Sequence, residues 1–177
     1  HVIALLPATD NRPGGNAYVS GDVITMHSGQ TVEVINTDAE GRMLLADALS
    51  YAKNYDPKLV IDAATLTGAA SRAIGKYGIV AMHAEAGRAM ARLKEAGEEV
   101  YERIAEFPFW EEYAELIKSE VADMKNLGGP DAGMITAGKF LEKFTDYPFI
   151  HLDIAGPAFY EKADKYQPAG GTGIGVR

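Results

Sequence analysis

Continuous apolar runs in the sequence alternate with longer stretches whose apolar residues recur at helical spacing. Residues 1–6, 58–66, 77–83 and 148–156 are apolar at most positions. Such runs are typical of strands that are covered on both faces of a sheet. We therefore predict a buried strand in each of these four segments.

A different pattern occupies residues 22–36, where polar and apolar residues alternate on either side of Ser28 and Gly29. This alternation predicts a β-hairpin with its turn at these two residues. Residues 7–22 before it are rich in Pro, Gly and Asn, which predicts a long loop.

Helical spacing of apolar residues is found in residues 42–54, 85–106 and 133–144. Because strands and helices alternate along the chain, we predict an α/β fold with a mostly parallel mixed sheet flanked by helices on both faces. The length of 177 residues suits one domain with a sizeable core.

Both ends of the sequence interrupt this pattern. The chain opens directly on an apolar run with no initiator Met, and it stops soon after a strand-like alternation has begun in residues 170–177. We interpret the chain as a fragment of a longer protein, truncated at both ends.

Composition narrows the classes of function. The net charge of −8 argues against a nucleic-acid or anionic-membrane surface as the main function. The absence of Cys excludes disulfides, zinc–thiolate sites and thiol nucleophiles, and it fits a reducing cytosol. We expect a cytoplasmic protein with no membrane span and no signal peptide.

Candidate chemistry is concentrated between the hairpin and the first helix. Asp38, Glu40 and Arg42 stand at alternate positions there. Side chains two residues apart share a face only where the backbone is extended or turning, and Gly41 makes such a turn plausible. Two carboxylates on one face repel each other unless a cation lies between them, and oxygen-ligated divalent metals fill that role.

The alternative is structural. Asp38 would cap the following helix, and Glu40 and Arg42 would be solvated charges in its first turn. Spacing by itself favours this alternative. Elsewhere we find no H-E-x-x-H or G-x-S-x-G motif, and we expect each of the four His residues to be exposed or satisfied. We expect Asp47 to be solvated and residues 107–113 to form a packing patch or a subunit contact.

The segment "NTDAEGR" at residues 36–42 resembles, letter for letter, the signature of the leucyl aminopeptidase family of two-metal exopeptidases. The resemblance covers essentially the whole chain. Further similar segments, in the order of that family's catalytic domain, are "DNRPGGNAY", "GDV", "DAATLTGA", "ADMKN", "AGMITAGKFL" and "HLDIAGPA". One departure is Val19-Ser20, where the family usually has Arg-Pro.

This resemblance implies a peptide substrate and two divalent metal ions, manganese or zinc. It implies that Glu40 bridges both ions, that Asp38 holds one, and that Arg42 is a catalytic residue that holds a bicarbonate. The planar fork of an arginine suits a flat anion. The resemblance also implies a substrate pocket formed by Thr65, Leu66, Gly68, Ala155 and Ala158.

Each pocket residue has a structural alternative. Residues 65–68 could be a tight strand-to-helix turn in which Gly68 serves the backbone. Ala155 and Gly156 could be positions of close packing. The resemblance favours the pocket over these alternatives.

The resemblance further implies what is missing from residues 1–177. The family's metal-binding lysine, two further metal-binding aspartates and a catalytic lysine precede this part of the catalytic domain, as does an amino-terminal domain. We expect the parent protein to be a homohexameric aminopeptidase and this chain by itself to be inactive. Alternatives are a non-catalytic structural or assembly module, and nucleic-acid binding as a secondary role, which the net charge makes unlikely.

Overall fold

The structure, a computed structural model, describes residues 1–177 and contains four α-helices and three small sheets. The α-helices are α1 (Glu40–Ala52), α2 (Gly68–Ile74), α3 (Gly87–Glu99) and α4 (Gly133–Glu142). The strands are β1 (Val23–Thr25), β2 (Thr31–Glu33), β3 (Val60–Ala64), β4 (Ile79–Ala84), β5 (Ile104–Glu106), β6 (Met124–Lys125), β7 (Phe149–Asp153), β8 (Phe159–Tyr160) and β9 (Gly170–Gly171). None of the helices is long and apolar enough to cross a membrane.

The largest sheet has four strands in the order β3-β7-β4-β5. β7 is parallel to β3 and antiparallel to β4, and β5 is parallel to β4. The predicted mixed, mostly parallel sheet is therefore confirmed. The parallel register pairs Ala64 with Asp153, so that β3 and β7 end side by side at the same edge.

Helices cover both faces of this sheet, as predicted. Alternate residues of β7 point to opposite faces. Ile150 and Leu152 pack with α3 through Met90. Phe149 packs on the other face with the buried apolar residues of α1 and α4, and α2 joins that layer through Ala70.

The hairpin is also confirmed. β1 and β2 pair antiparallel around the turn at Ser28 and Gly29, and Gly29 has the positive φ of 86° that such a turn requires. β6 extends this sheet by pairing parallel with β2. Asp47 is exposed, as expected, and it also accepts a hydrogen bond from the His27 amide (2.8 Å), which ties α1 to the turn.

Residues 1–6 do not form the predicted buried strand. They lie in an exposed segment without regular structure, in which the Val2 side chain is fully exposed. An apolar run forms a strand only where a neighbouring strand completes its backbone hydrogen bonds. No strand of this chain lies beside residues 1–6, and the prediction was wrong for that reason.

The predicted helix at residues 85–106 is too long. α3 ends at Glu99, and residues 104–106 form β5 instead. A side chain at Gly97 would lie only 2.6 Å from the Glu102 carbonyl oxygen, so the glycine allows the chain to fold back closely against the helix. Hydrophobic spacing did not reveal this reversal, because it depends on close packing.

β3 is present as predicted but is not covered on both faces. It is an edge strand, and its Ile61 side chain is 46% exposed. Of the four predicted buried strands, only β4 and β7 are buried along most of their length.

Candidate active site

The candidate metal ligands lie in a turn between β2 and α1. The Asn36 side chain accepts a hydrogen bond from the Asp38 amide (2.9 Å) and caps a short 3₁₀-helix, Thr37–Ala39. α1 follows directly at Glu40. Asn36, and not Asp38, is therefore the capping residue, because its side chain reaches the free amide two positions on.

The three charged residues of this turn differ in their exposure. Asp38 is exposed and Glu40 is half-exposed, whereas Arg42 is only 5% exposed. The chain's ion pairs all involve other carboxylates, so neither Asp38 nor Glu40 is neutralised by a side-chain cation. The structural alternative of a solvated Arg42 is wrong.

Arg42 is held on the inner side of α1. Its Nη1 donates a hydrogen bond to the Asn126 carbonyl oxygen (2.8 Å), and its buried Nε has no partner. Burial lowers the pKa of Arg42 to about 10, and the charge of Asp153 acts in the opposite direction. The guanidinium remains cationic at neutral pH and keeps donors that no protein group uses.

The long loop before the hairpin reaches the other side of Glu40. Asn11 Nδ2 donates to Glu40 Oε1 at 3.4 Å. Burial, followed by the negative charge of Glu40, raises the pKa of the Tyr18 hydroxyl. Glu40, the first residue of α1, is therefore in contact with the loop that precedes the hairpin.

The donor chemistry of this turn suits hard divalent cations, which prefer carboxylate oxygens. Asp38 and Glu40 are available for such a cation because no protein cation pairs with them. The chain contains no group of three or more His, Asp and Glu side chains that could hold a metal ion. The two carboxylates have the chemistry that such a cation requires, but they are fewer than the ligands that a hard divalent cation takes.

Asn126 fixes the segment that leads into this turn. Its buried side chain accepts hydrogen bonds from the amides of Ile35 (2.8 Å) and Asn36 (3.3 Å) and donates to the Asn36 carbonyl oxygen (2.8 Å). Its own carbonyl oxygen accepts the hydrogen bond from Arg42 Nη1. The sequence alone indicates no role for this asparagine of the "ADMKN" segment, because its partners lie about 90 residues away.

The loop after β3 carries three of the predicted pocket residues. Thr65 and Gly68 are exposed, and Leu66 is half-buried. Thr67 caps α2 by accepting a hydrogen bond from the Ala70 amide (3.0 Å), so this is indeed a strand-to-helix turn. Gly68 is not required by its backbone, since its φ lies outside the left-handed region.

The other predicted pocket residues follow β7. Ala155 and Ala158 are half-buried. Gly156 between them is a position of close packing, because a Cβ there would overlap the Gly75 carbonyl oxygen. No hydrogen bond of Ala158 reaches the loop after β3; its amide donates to Ile154 (3.1 Å).

One buried carboxylate joins these two segments. Asp153, at the end of β7, accepts hydrogen bonds from the amides of Leu66 (3.2 Å), Thr67 (3.4 Å) and Ala155 (3.2 Å) and from the Thr67 hydroxyl (2.7 Å). Sequence reasoning did not single out Asp153. The available signal was an acidic residue directly at the end of a predicted buried strand.

The start of α1 approaches the same loop. A Cβ at Gly41 would lie 3.6 Å from Leu66 Cδ1. Asp153 therefore joins Leu66 to Ala155, and the start of α1 lies against Leu66. No hydrogen bond joins Asp38, Thr65 or Ala158 to Asp153.

A buried ion pair lies on the same face of β7 as Asp153. His151 Nδ1 lies 2.9 Å and 3.0 Å from the two carboxylate oxygens of Asp62, its partner in the parallel register of β3 and β7. Burial is the largest single influence on the pKa of His151 and lowers it. The charge of Asp62, its hydrogen bond and the charge of Asp153 all act in the opposite direction and together outweigh burial. The pKa of His151 is therefore raised. His151 Nε2 is buried without a partner.

Taken together, the fold and the site define an α/β protein with a pair of unpaired carboxylates and a buried arginine near the ends of its sheet strands. The model of the cytosol aminopeptidase family, catalytic domain, matches residues 1–177. The chain belongs to this family.

Named relatives agree with this assignment. The chain is 53% identical to the "probable cytosol aminopeptidase" of Geobacter sulfurreducens over 178 aligned positions, which cover all of this chain and 36% of the relative. It is 54% identical to the protein of the same name from Chlorobium phaeobacteroides, over 99% of this chain and 35% of the relative. The chain thus spans about a third of the length of these relatives.

Solved structures are similar as well. A tomato leucine aminopeptidase mutant has a TM-score of 0.84 and 41% identity over 94% of this chain and 33% of that one. The bottromycin maturation enzyme BotP in complex with Mn has a TM-score of 0.85 and 36% identity over 93% of this chain and 37% of that one.

Proposed function

We propose that this chain is part of the catalytic domain of a longer, metal-dependent aminopeptidase, which releases amino-terminal residues such as leucine from peptides. Family membership supports the reaction class. The single observation that carries the proposal within this chain is that Asp38 and Glu40, which pair with no protein cation, lie next to the buried Arg42 in the first turn of α1.

Asp38 and Glu40 would hold the metal ions, with Glu40 as the ligand shared by both. Two ions would activate water as a nucleophile and polarise the peptide carbonyl. Manganese is one candidate because the similar BotP structure is described in complex with Mn, and zinc is the other. The remaining ligands come from a part of the protein outside residues 1–177.

Arg42 would hold a bicarbonate that carries a proton from the water to the leaving amine. One of its five N–H donors is committed to the Asn126 carbonyl oxygen. That bond fixes the orientation of the guanidinium while the other edge of its fork stays available for a planar anion. Burial strengthens the attraction of such an anion because it lowers the effective dielectric constant.

The substrate's first side chain would lie between the loop after β3 and the segment after β7. Thr65, Leu66 and Gly68 form one wall, and Ala155 and Ala158 form the other. Small alanine side chains leave room for a leucine-sized group. The whole protein would act in the cytoplasm as a homohexamer, and nucleic acid is not part of its main function.

Glu40→Gln in the full-length protein tests the proposal. We expect turnover of leucine p-nitroanilide to fall by at least 100-fold and manganese content to drop, because an amide binds a hard cation less well than a carboxylate. Glu115→Gln is the matched control, since Glu115 is an exposed acid paired with Lys118. Normal turnover and metal content in Glu40→Gln would contradict the proposal.

A second candidate function is a non-catalytic assembly module. The observation that favours it is an exposed aromatic surface: the Trp110 side chain is 63% exposed and stacks on Tyr113 at a centroid distance of 6.0 Å. The Glu40→Gln experiment separates the two functions, because an assembly module would have no turnover to lose.

A further inference from the structure

We propose that Asp153 is a positioning residue that holds the loop after β3 and the segment after β7 at a fixed distance. It thereby sets the width of the pocket for the substrate's first, apolar side chain. This inference rests on the proposed aminopeptidase function and deepens it, because it names the group that determines side-chain selectivity.

The hydrogen bonds of Asp153 reach both walls of that pocket. Oδ1 accepts the amides of Leu66 and Thr67 on one side and of Ala155 on the other, and Oδ2 accepts the Thr67 hydroxyl. Leu66 and Ala155 lie on opposite walls of the proposed pocket. A single side chain therefore controls the separation of the two walls.

The chemistry of this position requires a carboxylate. All four groups around Asp153 act as donors, and an ionised carboxylate has only acceptors. An asparagine oxygen could keep the three amides, but its NH₂ group would then donate to the Thr67 hydroxyl, whose own proton would lose its buried acceptor, which is costly. The site thus distinguishes between two side chains of almost identical shape.

The burial of Asp153 gives a second argument. The residue is 0% exposed and forms no direct ion pair, although burying a charge is expensive. Four hydrogen bonds compensate the charge, and the positive charge of Arg42 interacts with it.

The topology explains why one residue can do this. β3 and β7 are parallel and in register, with Ala64 opposite Asp153. Both chains leave the sheet at the same edge, where ligands commonly bind in α/β proteins. A side chain at the last position of β7 is within reach of both departing segments.

The test uses the full-length enzyme with Asp153→Asn and compares leucine with alanine p-nitroanilide. We expect kcat/KM for the leucine substrate to fall at least tenfold more than for the alanine substrate, with manganese content unchanged. Asp123→Asn is the matched control, because Asp123 also accepts an amide and a threonine hydroxyl, both from Thr31, but in the hairpin sheet. We expect the control to retain wild-type selectivity.

A second pair of variants keeps the test decisive if Asp153→Asn does not fold. Thr67→Val removes the hydroxyl that donates to Asp153, whereas Thr67→Ser keeps it. We expect Thr67→Val to lose leucine selectivity and Thr67→Ser to retain it. Unchanged selectivity per folded molecule in Asp153→Asn, or in Thr67→Val if Asp153→Asn does not fold, would overturn the inference and leave Asp153 a purely structural residue.

Hydrogen exchange at the Leu66 and Thr67 amides separates this inference from the proposed function. We expect faster exchange at both amides in Asp153→Asn and not in Asp123→Asn. An inactive wild type would refute the proposed function and, with it, the role in selectivity, whatever the exchange rates show. An active wild type whose amides exchange equally fast in Asp153→Asn would refute the positioning role by itself.

Discussion

Buried polar side chains carry most of the organisation of the candidate site. Arg42, Asn126 and Asp153 are each at most 5% exposed, and each bonds to backbone groups far away along the chain. A buried hydrogen bond contributes modestly when made, but an unpaired buried group costs about 1–3 kcal/mol. Such residues therefore fix geometry strictly, because few alternative arrangements satisfy all of them.

Arg42→Ala in the full-length protein tests the residue at the centre of this network. We expect kcat to fall by about 10²–10⁴-fold, the usual value of proton-transfer assistance. KM and metal content should change little, because the proposed role places the arginine on the bicarbonate and not on the ions or the ground-state substrate. Loss of the bond to Asn126 should also lower the melting temperature, so turnover is measured per folded molecule.

Bicarbonate provides the specific control for this prediction. Added bicarbonate should stimulate the wild type and Arg88→Ala, in which an exposed arginine of α3 is removed, but not Arg42→Ala. A variant with a lower melting temperature and nearly normal kcat would instead identify Arg42 as a structural residue.

At the scale of elements, the parallel pair β3 and β7 connects stability with the site. Asp62 and His151 face each other in register within this pair, and Asp153 ends β7 two residues later on the same face. β3 has no neighbour on its other side. The ion pair and the Asp153 hydrogen bonds therefore hold an edge strand onto the sheet.

The stabilising effect of the Asp62–His151 pair should depend on pH. Because the pKa of His151 is raised above 6.5 in the folded state, the folded chain binds the proton more tightly than the unfolded chain. The stabilisation is fully present below pH 6.5 and is lost as the pH rises through the folded pKa. Each unit of pKa difference corresponds to about 1.4 kcal/mol.

Urea unfolding of the wild type and His151→Gln from pH 5 to pH 9 measures this effect. We expect the difference in unfolding free energy between them to be largest at pH 5–6 and to shrink at higher pH. His27→Gln is the control, because His27 is an exposed residue of the hairpin turn. A difference that stays constant with pH would show that the pKa of His151 does not change on folding, and one that grows with pH would show that His151 is buried in its neutral form.

At the scale of the whole molecule, the chain has the core of a catalytic domain but only part of the candidate metal site. Its relatives are almost three times as long, and the chain contains no group of three or more potential metal-ligating side chains. Asp38 and Glu40 have too few neighbours to fix two ions by themselves.

We therefore expect the 177-residue chain by itself not to hydrolyse leucine p-nitroanilide. The assay uses the purified chain with manganese or zinc at millimolar concentrations, and the full-length protein serves as the positive control. Turnover above a blank that contains metal and substrate alone would show that residues 1–177 contain a sufficient ligand set.

Local signals in the sequence were enough for much of the fold. The hairpin around Gly29, the helices α1 and α4, and the strands β4 and β7 were predicted because side-chain spacing and turn residues act over a few positions. The alternation of strands and helices then indicated the α/β class. The same spacing failed for residues 1–6 and 104–106, where strand formation depends on whether a neighbouring strand is present.

The sequence by itself determined which charged groups stand together in the turn at residues 36–42, because neighbouring members of this set are only two residues apart along the chain. Only the tertiary structure decided that Arg42 is buried while Asp38 is exposed, and that Asp153 joins Leu66 to Ala155. These bonds span 84 to 87 residues along the chain in the cases of Arg42 with Asn126 and of Leu66 with Asp153. Such contacts follow from the parallel pairing of β3 with β7 and the packing of α1, which no local pattern encodes.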